Sequence, residues 1–531
     1  MSHRGALVPG TVSVDCVDSA ACGSSLRSLL VIGSAEQKGE NGQQPRLLGL
    51  VIFPALGVIS ASMKLLIVLF LIAGLVWAMA LMRRLPKQHT QSLSRSVVWL
   101  LLIGTVLGPA SFAIEGPIQI SVDRVFLALV CVAAVIQWRF GVLRLDRWQR
   151  VDIVLGLFTV YLLFKSLGGV PDEARVNPMG RWLFYVFVPL MVYTLARFSR
   201  CTRSDFRWML NALIGLGLYL SVMAMFEVLG WHHLVFPRSI VDPTQWEFFG
   251  RGRGPLMNPI GNGFVISLGI AALTTRFLDV GRQGKMICLC CGVILMAGCY
   301  ATLTRSCWIG AVGPLMIAGW VFGSRAIRAL ALVACVLAGM VLVTDTGRLL
   351  VREVVAMKRD QALSAKDAAK SVSLRPLLAI VAWEMFCDKP LVGHGFGQYF
   401  QHSQPYFSSR SYGLPLEQAR GYEHHNTFLA LLVDTGLIGL GLFLLAIAVV
   451  AARAWSMLRD PRRETAVKQM GLFFLCLFAA YLPNAVFHDM TIIPMVQTFV
   501  LAFAGFVVSV DGRGFAGQRN AEEPKLRLAM Q

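Results

Sequence analysis

Acidic side chains are scarce: 30 Asp and Glu stand against 49 Lys and Arg in 531 residues, and all charged residues together make up only 15% of the chain. That composition excludes an ordinary soluble domain, in which roughly a quarter of residues are charged. Paired cysteines are missing too. The 12 cysteines show no paired CxxC spacing of a zinc or redox site, and most lie inside apolar runs, among them Cys288, Cys290, Cys291 and Cys299. Only Cys387 lies well inside the longest hydrophilic segment, which leaves that segment no internal disulfide. There is no repeat at a period of 20 to 50 residues, and no pair of interrupted apolar runs in corresponding halves as in an inverted-repeat transporter. Residues 1–45 lack the apolar h-region of a signal peptide and any sustained period, and are expected to be disordered.

What is present in abundance is hydrocarbon. Hydrophobic residues make up 56% of the chain, and mean hydropathy is +0.62. Apolar runs recur at about 47–63, 64–82, 97–115, 122–138, 151–168, 181–197, 206–229, 257–276, 284–304, 306–323, 326–344, 426–451, 468–487 and 490–510, most of them long enough to cross a hydrocarbon core of ~30 Å. The expected fold is an all-α polytopic transmembrane bundle of about 12–14 helices, the count left open at the N-terminus. Its expected divisions are a tail at 1–45, membrane helices over 46–344, one large non-cytoplasmic loop at 345–425, membrane helices over 426–510 and a cytoplasmic tail at 511–531. Within the loop, Leu374, Leu377, Leu378, Val381 and Met385 share one helical face, so a short helix is expected to lie on the membrane or cap the bundle.

A net charge of +19 would suggest nucleic acid as a partner for a soluble protein. Here the basic residues gather in alternate short loops: Arg83, Arg84, Lys87 and Arg95; Arg139, Arg144, Arg147 and Arg150; Arg200, Arg203 and Arg207; Arg276, Arg282 and Lys285; Arg325 and Arg328; Arg453 to Lys468. Such alternation orients a membrane protein and meets anionic lipid, so nucleic acid is not a partner and these loops are expected in the cytoplasm. The opposite face then receives the loop around 230–256, the outer junction at Arg305 and the 345–425 segment.

The stretch Gly421 to Phe443, GYEHHNTFLALLVDTGLIGLGLF, runs titratable residues into a membrane span. His424, His425 and Asn426 stand at its mouth and Asp434 lies within it, where a carboxylate costs ~2.5 kcal/mol or more unless it faces a bundle interior or water. Three further groups share that outer face: Arg251 and Arg253 in RGRGPLMNPIGNGF, ahead of a span opened by Asn258; Arg305 in TLTRSCW; and Arg375 in SLRPLLAIVAWEMFCDKPLVGHGFG. The glycines of the last segment follow no predicted strand, so a turn is expected there rather than a dinucleotide fingerprint.

Over roughly 250–445, the order of these pieces resembles the O-antigen ligase and O-antigen polymerase superfamily of bacterial membrane proteins. The pieces are the Arg-containing segment before an Asn-Pro span, the threonine-rich turn ending in Arg305, the Arg-x7-Trp helix leading to PLVGHG, and His425-Asn426 ahead of Gly436. The resemblance implies a glycosyltransferase in the bacterial inner membrane with its site on the periplasmic face. It would move a polyprenyl-pyrophosphate-linked glycan to a hydroxyl of another carbohydrate or of lipid A core, alone or in a polysaccharide assembly complex. No cofactor is implied and no metal; no DxD pair for a nucleotide sugar is placed outside. In that reading Arg305, Arg375 and His425 are catalytic. The arginines meet phosphate oxygens with their bidentate forks, and the imidazole takes the acceptor proton. Arg251, Arg253, Asn258, Asn426 and Asp434 are expected to bind or position substrate. Asp434 stands where the family commonly has Glu, and Thr304 where serine is common. A flippase for a lipid-linked sugar and a protein O-oligosaccharyltransferase are the alternatives.

Overall fold

A computed structural model describes residues 93–110, 113–114, 120–169, 177–245, 248–326, 328–329, 365–409 and 412–516, and for 365–373 the backbone alone. The chain divides into two compact units, Met1–Ala78 and Met79–Gln531, and all described residues belong to the second. The apolar runs at 47–63 and 64–82, nearly all of 326–344, the tail at 1–45 and most of 511–531 lie outside the described residues.

The fold is an all-α bundle. Its main helices are α1 (Leu93–Val106), α2 (Val122–Arg139), α3 (Arg150–Ser166), α4 (Pro178–Phe198), α5 (Arg203–Val228), α6 (Pro259–Phe277), α7 (Arg282–Ala301), α8 (Arg305–Phe322), α9 (Ala365–Asp388), α10 (Thr427–Arg459), α11 (Thr465–Phe487) and α12 (Pro494–Arg513). Among the described residues, eight of these (α4 to α8 and α10 to α12) are long and apolar enough to cross a membrane. Strand structure among them is a two-residue pairing, Ala113–Ile114 with Ile120–Ser121, between α1 and α2.

Helix starts follow local chemistry. Thr202 and Asp205 form a reciprocal capping box on α5, and Gln149 with Asp152 does the same on α3. Asn258 and Asn426 cap α6 and α10 by accepting backbone N–H groups. Helix α6 is buried without a break from Pro259 to Leu273, which makes it the centre of the bundle and explains why it is apolar all round. Against it, α5 crosses so closely that a Cβ on Gly217 would lie 3.2 Å from the Cα of Gly269, the small-residue contact by which membrane helices pack.

The outer loop is held by a joint between two glycine-containing segments. Gly436 interrupts α10 with φ 66°, a conformation open to glycine at little cost. The break frees carbonyls that a continuous helix would use, and the loop supplies their partners: His394 N–H donates to Val433 O at 2.9 Å and Gly395 N–H to Asp434 O at 2.9 Å. In the other direction, Leu437 N–H donates to Pro390 O at 2.9 Å and Ile438 N–H to Leu391 O at 3.2 Å. A Cβ on Gly436 would fall 2.3 Å from the Leu391 carbonyl, and one on Gly393 2.5 Å from the Asp434 backbone. The turn expected from GHGFG is therefore one half of a fitted joint. From it α9 runs back over the outer part of α10, burying Leu374, Leu377, Leu378, Val381 and Met385 against Tyr399, Phe407, Leu416, Ala419 and Val433. Of the two placements open to that helix, the structure takes the one that caps the bundle.

Helix α10 has 33 residues, about 50 Å at 1.5 Å per residue, against a hydrocarbon core of ~30 Å. The excess of about 20 Å, roughly 13 residues, is more than the nine residues ahead of Gly436. That stretch carries the His425 end outward and provides the wall on which α9 rests.

Candidate functional site

Three of the residues expected to act together are neighbours. Arg305 opens α8 immediately after its N-cap, Thr304. Arg375 is exposed on α9, next to the buried Leu374 and one turn from the buried Leu378. Partial burial lowers its affinity for the proton, and the nearby Arg305 cation lowers it further. His425 stands just ahead of α10; partial burial and then Arg375 push its imidazole below the ordinary histidine range. Two guanidinium groups and one imidazole held neutral around pH 7 thus share one end of the bundle, with like charges set close together.

Arg251 supports this group from beneath. Its guanidinium donates to Thr302 O at 3.4 Å, to Leu303 O at 3.3 Å and to Thr304 Oγ1 at 2.5 Å. Leu303 has φ 50°, the left-handed region that a leucine enters at a cost of about 1–2 kcal/mol. The turn that delivers Arg305 is therefore strained, and Arg251 braces it.

The other expected residues serve the fold in ways the sequence did not show. Arg253 is buried, donating to Ile240 O at 2.7 and 2.9 Å, to Asp242 O at 3.3 Å and to Gln245 O, while its N–H and that of Gly254 reach Glu227. It laces the 238–245 loop onto α5 and α6. Asn258 Oδ1 accepts from Ile260 N–H and Gly261 N–H. Asn426 Oδ1 accepts from Phe428 N–H and Leu429 N–H, and its amide nitrogen donates to Val486 O at 2.8 Å. Both asparagines cap helices, and Asn426 also ties α10 to the end of α11.

Asp434 is buried in the joint, where Oδ2 accepts Gly397 N–H at 2.9 Å. Its charged neighbour is Arg181, at the start of α4, a residue that sequence reasoning passed over. Arg181 is itself buried: it approaches Asp489 at 3.4 Å and Glu423 at 3.9 Å, donates to Thr491 Oγ1 at 3.5 Å and faces the Phe396 ring at 5.5 Å. Close by, His424 packs its ring 4.2 Å from that of Tyr399, and burial followed by the Arg181 charge pushes its imidazole down to about 3. Arg181 Nε, both His424 nitrogens, Tyr399 Oη and Asp434 Oδ1 are buried with no hydrogen-bond partner among the described residues. Several such atoms thus lie in one buried polar neighbourhood around Arg181. Arg181 could not be found from the sequence, because it sits inside an apolar run and its carboxylate partners lie far along the chain.

Among the described residues, no group of three or more His, Cys, Asp or Glu is placed to hold a metal ion. The arrangement sets two cations and an imidazole near the start of a capped helix, groups that could meet an anionic leaving group and a hydroxyl.

Comparison with known proteins agrees with this. No curated protein matches the chain. Residues 290–444 match the family model described as O-Antigen ligase. The matched segment holds Arg305, Arg375, His425, Asn426 and Asp434 and both halves of the glycine joint, while Arg251, Arg253, Asn258 and Arg181 fall outside it. Residues 290–444 of this multi-pass membrane chain are thus similar to the O-antigen ligase family.

Proposed function

We propose that the protein transfers a glycan from a polyprenyl-pyrophosphate carrier to an acceptor hydroxyl, as an O-antigen ligase or an exopolysaccharide polymerase, with its site on the periplasmic face of the inner membrane. The family gives the general role, a ligase- or polymerase-type membrane enzyme. The observation that supports the finer reading is the closeness of Arg305 to Arg375 and of Arg375 to His425, each cation lowering the proton affinity of the next group.

Breaking the bond between the anomeric carbon and the pyrophosphate leaves negative charge on phosphate oxygens. Guanidinium groups remain charged throughout and donate two parallel bonds to such oxygens. Held near each other, Arg305 and Arg375 present two cations to an entering anion, and their attraction for it grows as charge develops on the leaving group. His425, kept neutral, takes the proton of the attacking hydroxyl. Attack from the face opposite the departing phosphate inverts the anomeric configuration. The acceptor in this reading is a second carbohydrate chain or lipid A core.

Reconstitution with a polyprenyl-pyrophosphate-linked oligosaccharide tests it. The expected result is release of the carrier with a lengthened or transferred glycan, lost in Arg305→Ala, Arg375→Ala and His425→Ala although each variant remains in the membrane. Movement of the lipid between leaflets without bond cleavage makes the protein a flippase instead, and glycan appearing on a polypeptide makes it a protein O-oligosaccharyltransferase.

A further inference from the structure

Beside His425 stands a second imidazole that neither the sequence pattern nor the matched family segment includes. The ring of His488 lies edge-on to that of His425, with centroids 6.4 Å apart and planes at 74°. Its position is fixed through the backbone. His488 N–H donates to Asn484 O at 2.8 Å, and its carbonyl accepts from Thr427 Oγ1 at 2.9 Å. The same Thr427 hydroxyl accepts Met490 N–H at 2.8 Å, and Asn426 reaches Val486 O. The end of α11 is thereby stapled to the start of α10 without using the His488 ring.

A second restraint acts from the other side. Arg181 holds Asp489, the residue after His488, and Glu423, two residues before His425. One buried guanidinium thus anchors the backbone next to each imidazole. A centroid separation of 6.4 Å is too long for a direct bond between ring nitrogens; it suits two hydrogen bonds of about 2.8 Å meeting on one shared oxygen.

We propose that His488 is a second imidazole of the transfer site, holding the acceptor's carbohydrate hydroxyl between itself and His425, an assignment that rests on the glycosyl-transfer reading above. A hydroxyl oxygen has one proton and two lone pairs. The proton goes to a His425 nitrogen, and one lone pair forms the bond to the anomeric carbon as the bond from that carbon to the pyrophosphate oxygen breaks, the bonding pair leaving with the phosphate. The other lone pair accepts from an N–H of His488, which keeps the nucleophile in line. Arg181 acts through Asp489 and Glu423 and is a positioning residue.

The test uses the full-length protein in vesicles, with a polyprenyl-pyrophosphate-linked oligosaccharide as donor and a soluble oligosaccharide as acceptor. His488→Ala, which preserves the backbone staple, should raise the KM for acceptor and cut transfer by about 10- to 100-fold, the loss expected when one hydrogen bond to a reacting group is removed. Donor binding, read by displacement of labelled polyprenyl pyrophosphate, should be unchanged, and His488→Gln, which retains an N–H donor, should recover part of the rate. Arg181→Lys should fall between wild type and Arg181→Ala in the same acceptor KM. Wild-type transfer that is abolished in His425→Ala but within twofold of normal in His488→Ala overturns the inference alone, as does a His488→Ala protein that loses donor binding and acceptor use together. A wild-type protein that binds donor and transfers nothing overturns the transfer reading, and this inference with it.

Discussion

The two ends of the bundle handle charge in opposite ways. At one end, where α1, α3, α5 and α11 begin and α10 and α12 finish, arginines are matched to carboxylates: Arg95 with Asp205 at 2.5 Å, Arg453 and Arg463 with Asp511 at 3.1 and 3.0 Å, Arg203 with Glu464, and Arg513 with Asp146. At the other, Arg181 is held by Asp489 and Glu423, but the charge that Arg375 feels is a second cation, Arg305. The first arrangement sets opposite charges together. The second includes two like charges near each other, which favours an anion such as a pyrophosphate leaving group.

The largest effects should come from the second end. Arg305→Ala and Arg375→Ala should each cost about 10²- to 10³-fold in transfer, the range seen when one donor to developing charge is removed. Because both side chains are exposed, thermal melting in detergent should move little. Transfer assays on membranes containing equal amounts of each variant measure the first, and fluorescence-detected melting the second. A variant that melts much earlier in step with its loss of transfer would show that the cation braces the fold and erase the contrast.

Next comes the joint that brings the parts of that end together. Gly436→Ala places a side chain at φ 66°, costing about 1–2 kcal/mol, and drives a Cβ to within 2.3 Å of the Leu391 carbonyl. The expected outcome is a lower melting temperature, faster hydrogen exchange over 390–397 and reduced transfer. Unchanged exchange in that turn would mean the two segments are not coupled.

The pH profile sharpens the comparison further. His425 acts in its neutral form, so activity is full above its pKa and falls as pH drops through it. Because burial and Arg375 lower that pKa, the acid limb should lie below the ordinary histidine value of about 6.5. Arg375→Gln removes the cation, so the limb of the residual activity should shift toward higher pH, whereas Arg375→Lys should leave it nearly in place. A limb that stays put in Arg375→Gln would separate the two groups.

Much of this end could be read from the chain. The apolar runs gave the helices, the Leu374–Met385 spacing gave the buried face of α9, and Arg305, Arg375 and His425 were each visible as polar residues at the end of a span or in the outer loop. Other features were not visible, for a common reason: they depend on contacts distant in sequence. Arg181 meets Asp489 across 308 positions, and nothing near either residue announces it. GHGFG reads as a turn by itself, and only the broken α10 shows what the turn is shaped to fill. Arg253 and Asn426 also have fold contacts that the sequence did not show. A polar residue beside a span invites a ligand role, yet the backbone donors and acceptors nearby have first claim on it, since buried groups left unpaired cost about 1–3 kcal/mol.

The smallest effect is expected where charges are already matched. Asp511 receives both Arg453 and Arg463, at 24% and 36% side-chain exposure, so water screens the pairs and each contributes only about 0–1 kcal/mol. Asp511→Asn keeps the shape and an acceptor oxygen while removing the charge. Stability should therefore fall by less than about 1 kcal/mol, less still in high salt, with transfer unchanged. The value of this variant lies in its sign. Adding a net positive charge at this end should leave catalysis alone, whereas removing one at the other end should slow it by about 10²- to 10³-fold. If Asp511→Asn slowed transfer as Arg375→Ala does, the ends would be electrostatically continuous, and the division of labour between them would not hold.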